Sequence, residues 1–458
     1  MSHPLLASPG LPALPIWLTS EANLVQIMAE LPATGKAFAE AQDFKAKPGH
    51  YCLLPDAQGK PSGVLFGIAT KNEDPFLYGK LPQLLPEGSY RFASMPANPK
   101  LAVLAWLLGA YSFDRYTKKP KRNAKIIVPD GVDAEEVTRM AEAVYQGRDL
   151  INTPTNDLGP DGIEAAARKL AEKYNARITV ITGDDLLTQN FPMIHAVGRA
   201  SATPPRLIDM TWGDENAPLV TLVGKGVAFD TGGLNLKPGN SMNLMKKDMG
   251  GAAAAMAAAD MIMGAKLPVR LRVLIPAVEN SVSASSFRPG DILPSRKGLT
   301  VEIGNTDAEG RLILGDALAL ADEEKPELVI DFATLTGAAR VATGPDLPPF
   351  YTDNDNLAAD ISRIGMQEND PVWRLPLWQP YAPWLDSPVA DINHTSSQAF
   401  AGSITAALFL KRFVEQAGDY VHFDIYGWTA SDKPARPLGG EVQAARLVYA
   451  LLKERYIS

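Results

Sequence analysis

The sequence predicts an α/β protein with a smaller N-terminal α/β domain and a larger domain whose mostly parallel central sheet is covered by helices on both faces. Three observations lead to this fold class. The 458-residue chain is too long for one ordinary core and favours two or three domains. After about residue 150, strand-like runs alternate with helical patterns. Those runs are rich in Val, Ile and Leu, which is typical of strands buried on both faces of a parallel sheet.

The first third of the chain contains short strand-like runs, such as YCLLP and GVLFGIA, among turn-rich stretches, followed by one apolar helical segment. In order, the predicted elements are strands at 51–55, 63–69 and 90–94, a helix at about 99–112 and a strand at 126–128. We therefore predict a small α/β domain over residues 1–130.

A helical pattern from Asp133 to about Leu150 carries acidic residues in its first turn and is broken by NTPTNDLGPDG. This arrangement is typical of a domain connector, so we predict a connecting helix and linker over 131–155 and the larger, catalytic domain over 156–458. In order, its predicted elements are helix 161–174, strand 176–182, strand 219–224, helix 251–263, strand 269–278, strand 299–304, helix 311–323 and strand 327–334.

Composition excludes several classes of protein. Hydrophobic residues make up 46% and charged residues 21% of the chain, without a biased tract, which excludes a largely disordered chain, a collagen and a disulfide-rich scaffold. The single cysteine, Cys52, cannot form an internal disulfide and fits a reducing compartment. The apolar run at 101–111 is shorter than the ~20 residues of a membrane span, and the N-terminus lacks the cationic start of a targeting segment. We therefore expect a cytoplasmic protein without membrane contact.

Charge argues against a nucleic-acid partner. The net charge of −8 is the wrong sign for a general nucleic-acid binder. A basic strip at 115–125 nevertheless keeps DNA binding open as a rival role, although a solvated surface explains such a strip more simply. True phosphate contacts weaken steeply with added salt, so a salt-dependent gel shift separates the two interpretations.

Polar residues cluster where three of the predicted strands end. The loops KGVAFDTGGLNLKPGNSMNLMKKDMGG, NTDAEGR and TLTGA follow the strands at 219–224, 299–304 and 327–334. Ligands of open parallel sheets bind outside the carboxyl ends of the strands, so these loops are expected to line one crevice. The crevice then contains Lys225, Asp230, Lys237, Asp248, Asp307, Glu309 and Arg311.

Four carboxylates in one crevice repel one another unless cations neutralise them, so the pattern favours a two-metal centre. Simpler interpretations stand beside it: Asp248 as a helix cap, and Asp307 and Glu309 as complements of a helix dipole. No HExxH or HxxEH motif, GxSxG elbow or GxxxxGK[ST] phosphate loop occurs in the sequence. The five histidines and Cys52 are therefore expected in surface or core roles.

The stretches VGKGVAFDTGGLNLKP, MKKDMGG and NTDAEGRL closely resemble the leucyl aminopeptidases, the two-metal cytosol aminopeptidases, and NTDAEGRL is that family's signature. Supporting similarity in YSFDRY, RDLINTPTN, DFATLTGA and GSITAALFLKRF extends the resemblance over roughly residues 100 to 430. The family implies a metallo-aminopeptidase that hydrolyses the N-terminal peptide bond of peptides with a free N-terminus. It also implies a homohexamer. Another two-metal hydrolase, an amidase or a phosphodiesterase, is the alternative.

The resemblance implies two divalent metals per subunit, bridged by Asp230 and Glu309, with Lys225 and Asp248 completing the tighter site and Asp307 the more exchangeable one. The metals implied are zinc or manganese, with magnesium or cobalt at the exchangeable site. Lys225 must be neutral to donate its lone pair, so two cations are expected to depress its pKa. A metal-bridging water is expected to attack the scissile carbonyl.

Two further residues receive catalytic roles from the resemblance. Lys237 is expected to face the developing oxyanion. Arg311 is expected to hold a bicarbonate ion that serves as general base.

The family's substrate contacts fall on the positions Met245, Asn305, Ala308, Thr334 and Leu335. The first four match the first side-chain pocket, and Leu335 matches a backbone carbonyl contact to the substrate amine. A methionine lip favours bulky apolar residues such as leucine or methionine. The ending FDIYGWTASDKPARPLGGEVQ departs from the commonest family ending, so Tyr426, Trp428 and the Pro-rich insert are expected to reshape the pocket mouth.

Overall fold

The protein, described here from a computed structural model over residues 3–117 and 123–457, forms two compact units. The smaller unit contains Met1–Tyr145 and Ser431–Leu438, and the larger contains Gln146–Ala430 and Gly439–Ser458. A small N-terminal α/β unit and a larger α/β unit confirm the predicted fold class. The middle of the basic strip predicted as a possible DNA contact, residues 118–122, lies outside the described residues.

The smaller unit is a six-stranded sheet with helices, in strand order β1-β6-β5-β2-β4-β3, parallel except at the β3–β4 edge. Its elements are β1 Leu6–Ala7, β2 Leu14–Thr19, α1 Leu24–Glu30, α2 Ala33–Ala41, β3 Tyr51–Pro55, β4 Pro61–Gly67, α3 Leu81–Leu84, β5 Gly88–Phe92, α4 Pro99–Gly109 and β6 Ala124–Ile127. Helix α5, Ala134–Asn152, runs past the division between the units at Tyr145.

Strand β2 was not among the predicted strands, because Pro9 and Pro12 before it and Pro15 within it obscure its pattern. Its buried Ile16 and Leu18 nevertheless lie at the centre of the sheet. Pro15 is compatible with this strand because β4 pairs with β2 only from Ile16 onward, and β5 pairs with it over Leu14–Ile16. The proline thus lies near the start of the strand, where a missing backbone donor is tolerated.

The larger unit contains a nine-stranded sheet in the order β16-β15-β18-β14-β9-β11-β8-β7, with β10 paired to β11. Its helices are α6 Pro160–Tyr174, α7 Asp185–Thr188, α8 Pro192–Gly198, α9 Gly250–Gly264, α10 Glu309–Glu323, α11 Gly337–Thr343, α12 Asp355–Gln367, α13 Gly402–Lys411 and α14 Ala445–Ile457. Its strands are β7 Arg177–Thr182, β8 Arg206–Trp212, β9 Leu219–Gly224, β10 Gly226–Asp230, β11 Arg270–Asn280, β12 Ile292–Pro294, β13 Thr300–Glu302, β14 Leu328–Ala333, β15 Pro349–Tyr351, β16 Trp373–Arg374, β17 Ile392–Asn393, β18 Asp419–Asp424, β19 Trp428–Thr429 and β20 Gly439–Gly440.

The centre of this sheet is parallel, as predicted: β18, β14, β9 and β11 run in one direction, and antiparallel pairs occur toward its edges. Helices α9 and α10 both pack on β9, β11 and β14, with α6 and α14 beside α9 and with α8 and α13 beside α10. Alternate strand residues such as Val223, Leu274 and Val329 belong to the apolar core formed with α8, α10 and α13. Two groups of helices therefore cover the sheet, as the near-continuous apolar strands indicate.

The strand predicted at 299–304 does not belong to this sheet. Its observed part, β13, pairs with β12 and β17 in a separate three-stranded sheet. The prediction was wrong on this point because apolar alternation identifies a strand but not its partner. Within the part of the chain that the structure describes, no helix is long and apolar enough to cross a bilayer.

Candidate metal centre

The carboxyl ends of the adjacent parallel strands β9, β14 and β18 open onto one cavity of about 630 Å³. Of the twelve predicted site residues, Glu309 is buried below its surface at 1% exposure. The other eleven line the cavity: Lys225, Asp230, Lys237, Met245, Asp248, Asn305, Asp307, Ala308, Arg311, Thr334 and Leu335. The structure therefore brings the predicted residues together. They include those of NTDAEGR, although the strand before this loop, β13, belongs to the three-stranded sheet with β12 and β17.

Lys225 follows directly on β9 and points its ammonium group into the carboxylate cluster. Its Nζ donates to Asp248 Oδ1 and to the Thr334 carbonyl, both at 2.9 Å, and lies 3.0 Å from Glu309 Oε1. The aliphatic part of the side chain passes against Gly310, where a Cβ atom would lie 2.4 Å from Lys225 Cε. The glycine of NTDAEGRL is thus needed so that this lysine can reach the cluster.

Asp230 ends β10 and is oriented by two donors. Its Oδ1 accepts hydrogen bonds from the Gly232 amide (2.9 Å) and from Asn280 Nδ2 (2.8 Å). Its Oδ2 lies 2.7 Å from Lys237 Nζ, which also lies 2.6 Å from Asp307 Oδ1. Asn280, a fully buried residue at the end of β11, was not predicted as a site residue.

The structure also decides between the simpler interpretations of the carboxylates. Asp248 lies in a short 3-10 turn before α9 and does not cap that helix, since the cap position is Met249 and has no side-chain bond. Its Oδ1 instead accepts the Thr334 hydroxyl at 2.8 Å. Glu309 is the first residue of α10, so it does complement that helix dipole.

Burial sets the electrostatics of the cluster. Burial and the nearby Asp230 carboxylate raise the pKa of Glu309 well above its ordinary value, and raise the pKa of Asp307 to about 6. Burial alone would lower the pKa of Lys225, but the surrounding carboxylates, Asp248 first, outweigh it and raise that pKa. In the absence of metal, the two lysines thus act as partial counter-charges to four acids.

The donor atoms fit divalent cations. One oxygen from each of Asp230, Asp307 and Glu309 lies within 4.8 Å of the others. Asp248 Oδ2 and Glu309 Oε1 lie 2.9 and 3.0 Å from Lys225 Nζ, and Asp307 Oδ1 lies 2.6 Å from Lys237 Nζ, so only two ammonium groups face the four carboxylates. Glu309 Oε2 is buried and has no hydrogen-bond partner among the described residues. Four clustered carboxylates with only two counter-charges are costly unless further cations neutralise them. Four carboxylates with one amine form a set of hard, mostly oxygen donors, as divalent metals require.

Arg311 lies on α10 and reaches the same cavity. Its Nη1 donates to the His394 carbonyl at 2.6 Å, and burial lowers its pKa to about 10. The ring of His394 is fully buried and hydrogen-bonds the Asn305 carbonyl through Nε2 at 2.8 Å. Burial and the adjacent Arg311 lower the pKa of His394 to about 3, so the ring is neutral at pH 7. This histidine has the expected core role, but it also supports two site residues.

Asp424, at the end of β18, is a site residue that the sequence analysis missed. Its Oδ1 accepts the amides of Leu335 and Thr336, both at 3.1 Å, and its Oδ2 accepts the hydroxyls of Thr336 (2.6 Å) and Ser403 (2.9 Å). The buried carboxylate therefore fixes the loop after β14. Its position at a strand end of HFDIYG was the available signal, but β18 was not predicted.

One wall of the cavity is aromatic and cationic. The Tyr426 ring contacts the Nζ of Lys247, 4.7 Å from the ring centroid, and the guanidinium of Arg340, 5.1 Å from it, and all three residues line the cavity. Burial lowers the pKa of Lys247 to about 8. The expected effect of the divergent ending thus falls on Tyr426, since the lining residues do not include Trp428 or the insert at 431–438.

Comparisons with known proteins agree with this geometry. The catalytic-domain model of the cytosol aminopeptidase family matches residues 146–449, and a model of the M17 aminopeptidase N-terminal domain matches residues 14–129. A probable cytosol aminopeptidase of Syntrophotalea carbinolica is 40% identical over 79% of this chain and 76% of its own. A second, of Roseiflexus castenholzii, is 40% identical over 76% and 75%.

Solved structures show the same relationship. The cytosol aminopeptidase of Coxiella burnetii superposes with a TM-score of 0.93 at 44% identity, covering 98% of both chains. The bottromycin maturation enzyme BotP in complex with Mn superposes with a TM-score of 0.87 at 31% identity, covering 97% of this chain and 99% of its own. The resemblance found in the sequence motifs is thus confirmed. The chain belongs to the cytosol aminopeptidase family and is a hydrolase of the leucyl aminopeptidase-like metalloexopeptidase type.

Proposed function

We propose that the protein removes N-terminal residues from peptides with two divalent cations held by Lys225, Asp230, Asp248, Asp307 and Glu309. The observation that carries this proposal is a cluster of four carboxylates that only two ammonium groups face, with one buried oxygen of Glu309 left without a hydrogen bond among the described residues. Two such cations supply, when bound, Lewis acidity toward a carbonyl oxygen and a water acidic enough to attack at neutral pH.

The burial of the ligands supports a division into a tight and an exchangeable site. The side chains of Lys225 and Asp248 are each 4% exposed, whereas that of Asp307 is 33% exposed. Asp230 and Glu309 would be shared between the two cations. Zinc or manganese is proposed, with magnesium or cobalt as substitutes at the site of Asp307. The manganese complex of BotP supports manganese.

The chain's own residues would bind and orient the peptide. In the metal-free protein, burial opposes protonation of Lys237, but Asp230 and its neighbours outweigh this and raise its pKa, so the side chain is charged. Its charge would stabilise the negative charge that develops on the scissile carbonyl oxygen. Arg311 would hold a bicarbonate ion in the cavity through donors not used by His394, since Nε makes no hydrogen bond among the described residues. A bicarbonate held there would supply a general base beside the carboxylate cluster.

The first side-chain pocket would be formed by Met245, Asn305, Ala308 and Thr334, and the Leu335 carbonyl would contact the substrate amine. A flexible methionine and the aliphatic parts of its neighbours support preference for bulky apolar residues such as leucine and methionine. The names of the relatives support a cytoplasmic enzyme, and the family resemblance supports a homohexamer. Light scattering that gives a mass other than six chains would refute that assembly.

Hydrolysis of leucine p-nitroanilide and its N-acetylated form tests the proposed activity, with Mn²⁺ or Zn²⁺ and then with chelator. We expect cleavage of the free amine alone, loss of cleavage on chelation and recovery on metal addition. Cleavage of the acetylated form, or of a phosphodiester in place of free-amine peptides, would support a different two-metal hydrolase.

A further inference from the structure

The cationic wall of the cavity, formed by Lys247, Arg340 and Tyr426, is not explained by the metal centre. The three residues come from different elements: the turn before α9, helix α11 and the segment after β18. Lys247 is 6% exposed, whereas Arg340 is exposed at the cavity mouth. Both cations face the same aromatic ring from within 5.1 Å of its centroid.

Neither cation forms an ion pair with a described residue. In the part of the chain that the structure describes, no carboxylate lies within ion-pair distance of Lys247 or Arg340. The two other lysines of the cavity, Lys225 and Lys237, each contact two carboxylates. A buried ammonium group without an ion-pair partner is costly to the fold, although Asp248 and Asp424 act on Lys247 from a longer distance. Its retention in a cavity that opens to ligands indicates a counter-charge supplied from outside.

The wall is held in place by contacts that do not involve the two charges. The Tyr426 and Gly427 amides donate to Gln443 Oε1 at 2.9 and 3.1 Å, and Gln443 Nε2 donates to the Pro345 carbonyl at 2.8 Å. The Thr336 side chain accepts a hydrogen bond from the Ala339 amide at the start of α11, so the helix that carries Arg340 is also fixed. The backbone that carries Tyr426 and Arg340 is thus fixed without the two charges.

The wall lies beside the proposed first side-chain pocket. A Cβ atom on Gly427, next to Tyr426, would lie 3.0 Å from Thr334 Cγ2 and 3.7 Å from the Lys247 carbonyl. A side chain that passes Met245 and Thr334 would therefore approach the two cations. Glutamate fits this arrangement because it has an aliphatic stem and a terminal carboxylate.

We propose that Lys247 and Arg340, which both contact the Tyr426 ring, bind the side-chain carboxylate of an N-terminal glutamate or aspartate, so that the enzyme accepts acidic as well as apolar N-terminal residues. This inference rests on the proposed aminopeptidase function and extends its substrate class. The isosteric pair glutamate and glutamine isolates the charge, since the two side chains differ little in size or in aliphatic contact.

The test is kcat/KM of the Mn²⁺-loaded enzyme for Glu-Ala-Ala, Gln-Ala-Ala and Leu-Ala-Ala. We expect a Glu:Gln ratio of about ten or more, because charged hydrogen bonds are the stronger ones. Lys247→Met and Arg340→Gln should each lower that ratio about threefold or more. Lys246→Met should leave it unchanged, because that neighbouring ammonium donates to the Asn152 carbonyl and does not line the cavity.

A wild-type Glu:Gln ratio of one or below would overturn the proposal, as would an unchanged ratio in both Lys247→Met and Arg340→Gln. Arg340 is exposed, so its variant keeps the test decisive if Lys247→Met does not fold. Cleavage of Leu-Ala-Ala separates this failure from failure of the aminopeptidase function, which would abolish all three reactions. The enzyme could also show a higher kcat/KM for Leu-Ala than for the C-terminal amide of Leu-Ala, with equal values for the Glu and Gln peptides. That result would assign the two cations to the carboxyl end of the peptide and would overturn the proposal.

Discussion

Replacing Asp307 by asparagine is expected to stabilise the metal-free enzyme while inactivating it. Burial and the Asp230 carboxylate raise the pKa of Asp307 from 3.8 to about 6 in the metal-free protein. The folded chain therefore binds this proton more tightly than the unfolded chain. The protonated Asp307 side chain therefore contributes to the free energy of unfolding in full below about pH 4, and this contribution is lost as the pH rises through about 6. Asparagine cannot ionise, so the variant avoids this loss.

The size of the effect follows from the same pKa. The rise of the Asp307 pKa from 3.8 to about 6 corresponds to a free energy of roughly 3 kcal/mol before solvent screening is included. The side chain is 33% exposed, so solvent screening reduces this to about 1–2 kcal/mol. In a protein of this size, that free energy shifts the melting temperature by about 1–3 °C. Lys237 keeps an oxygen acceptor at position 307 in the asparagine variant, so its contact is not lost.

The assay is thermal unfolding in chelator at pH 8 and at pH 5, with the exposed Asp130→Asn substitution as control. Asp307→Asn should melt above the wild type at pH 8, and the difference should shrink at pH 5. Saturating Mn²⁺ should reverse the order, because the variant lacks a proposed ligand and gains less from binding. A variant that melts below the wild type in chelator at pH 8 would refute the reasoning.

Three further outcomes are expected. Alanine at Asp230, Glu309 or Lys237 should lower kcat/KM by roughly 10²-fold or more with an unchanged circular dichroism spectrum, and near-wild-type rates would remove the residue from the site. Metal binding should release protons, because Lys225 must lose a proton to become a ligand. Calorimetry in buffers of different ionisation enthalpy measures this release, and the Lys225→Met variant should release fewer protons. Asp424→Asn should lower kcat/KM about tenfold or more by loosening the loop that it holds, and unaltered kinetics would show that the loop needs no charge.

The carboxylate cluster was predictable because its residues follow strand ends and lie in short, specific motifs. Asp230 ends a strand, Lys225 follows one, and NTDAEGR supplies two acids and an arginine within five residues. The carboxyl ends of neighbouring parallel strands meet at one edge of a sheet, so sequence position alone brings such residues together. The residues of NTDAEGR also reach the crevice, although the strand before them, β13, belongs to the three-stranded sheet with β12 and β17.

The residues that support the cluster were not predictable in the same way. Asn280 and Asp424 lie at ends of strands whose partners are distant in sequence, and their role is visible only in their hydrogen bonds. The pairing of Tyr426 with Lys247 and Arg340 joins three segments of the chain that no local pattern links. Local pattern thus predicted the groups proposed to bind metal, and tertiary structure supplied the groups that orient them or face the substrate.

The most direct test of the two-metal centre is an anomalous-difference map from a crystal of the Mn²⁺-loaded protein. We expect two peaks among the carboxylates, with Asp230 and Glu309 contacting both ions and Lys225 contacting only the ion next to Asp248. Brief chelation should remove the peak beside Asp307 first. One peak, or manganese bound elsewhere on the chain, would contradict the account.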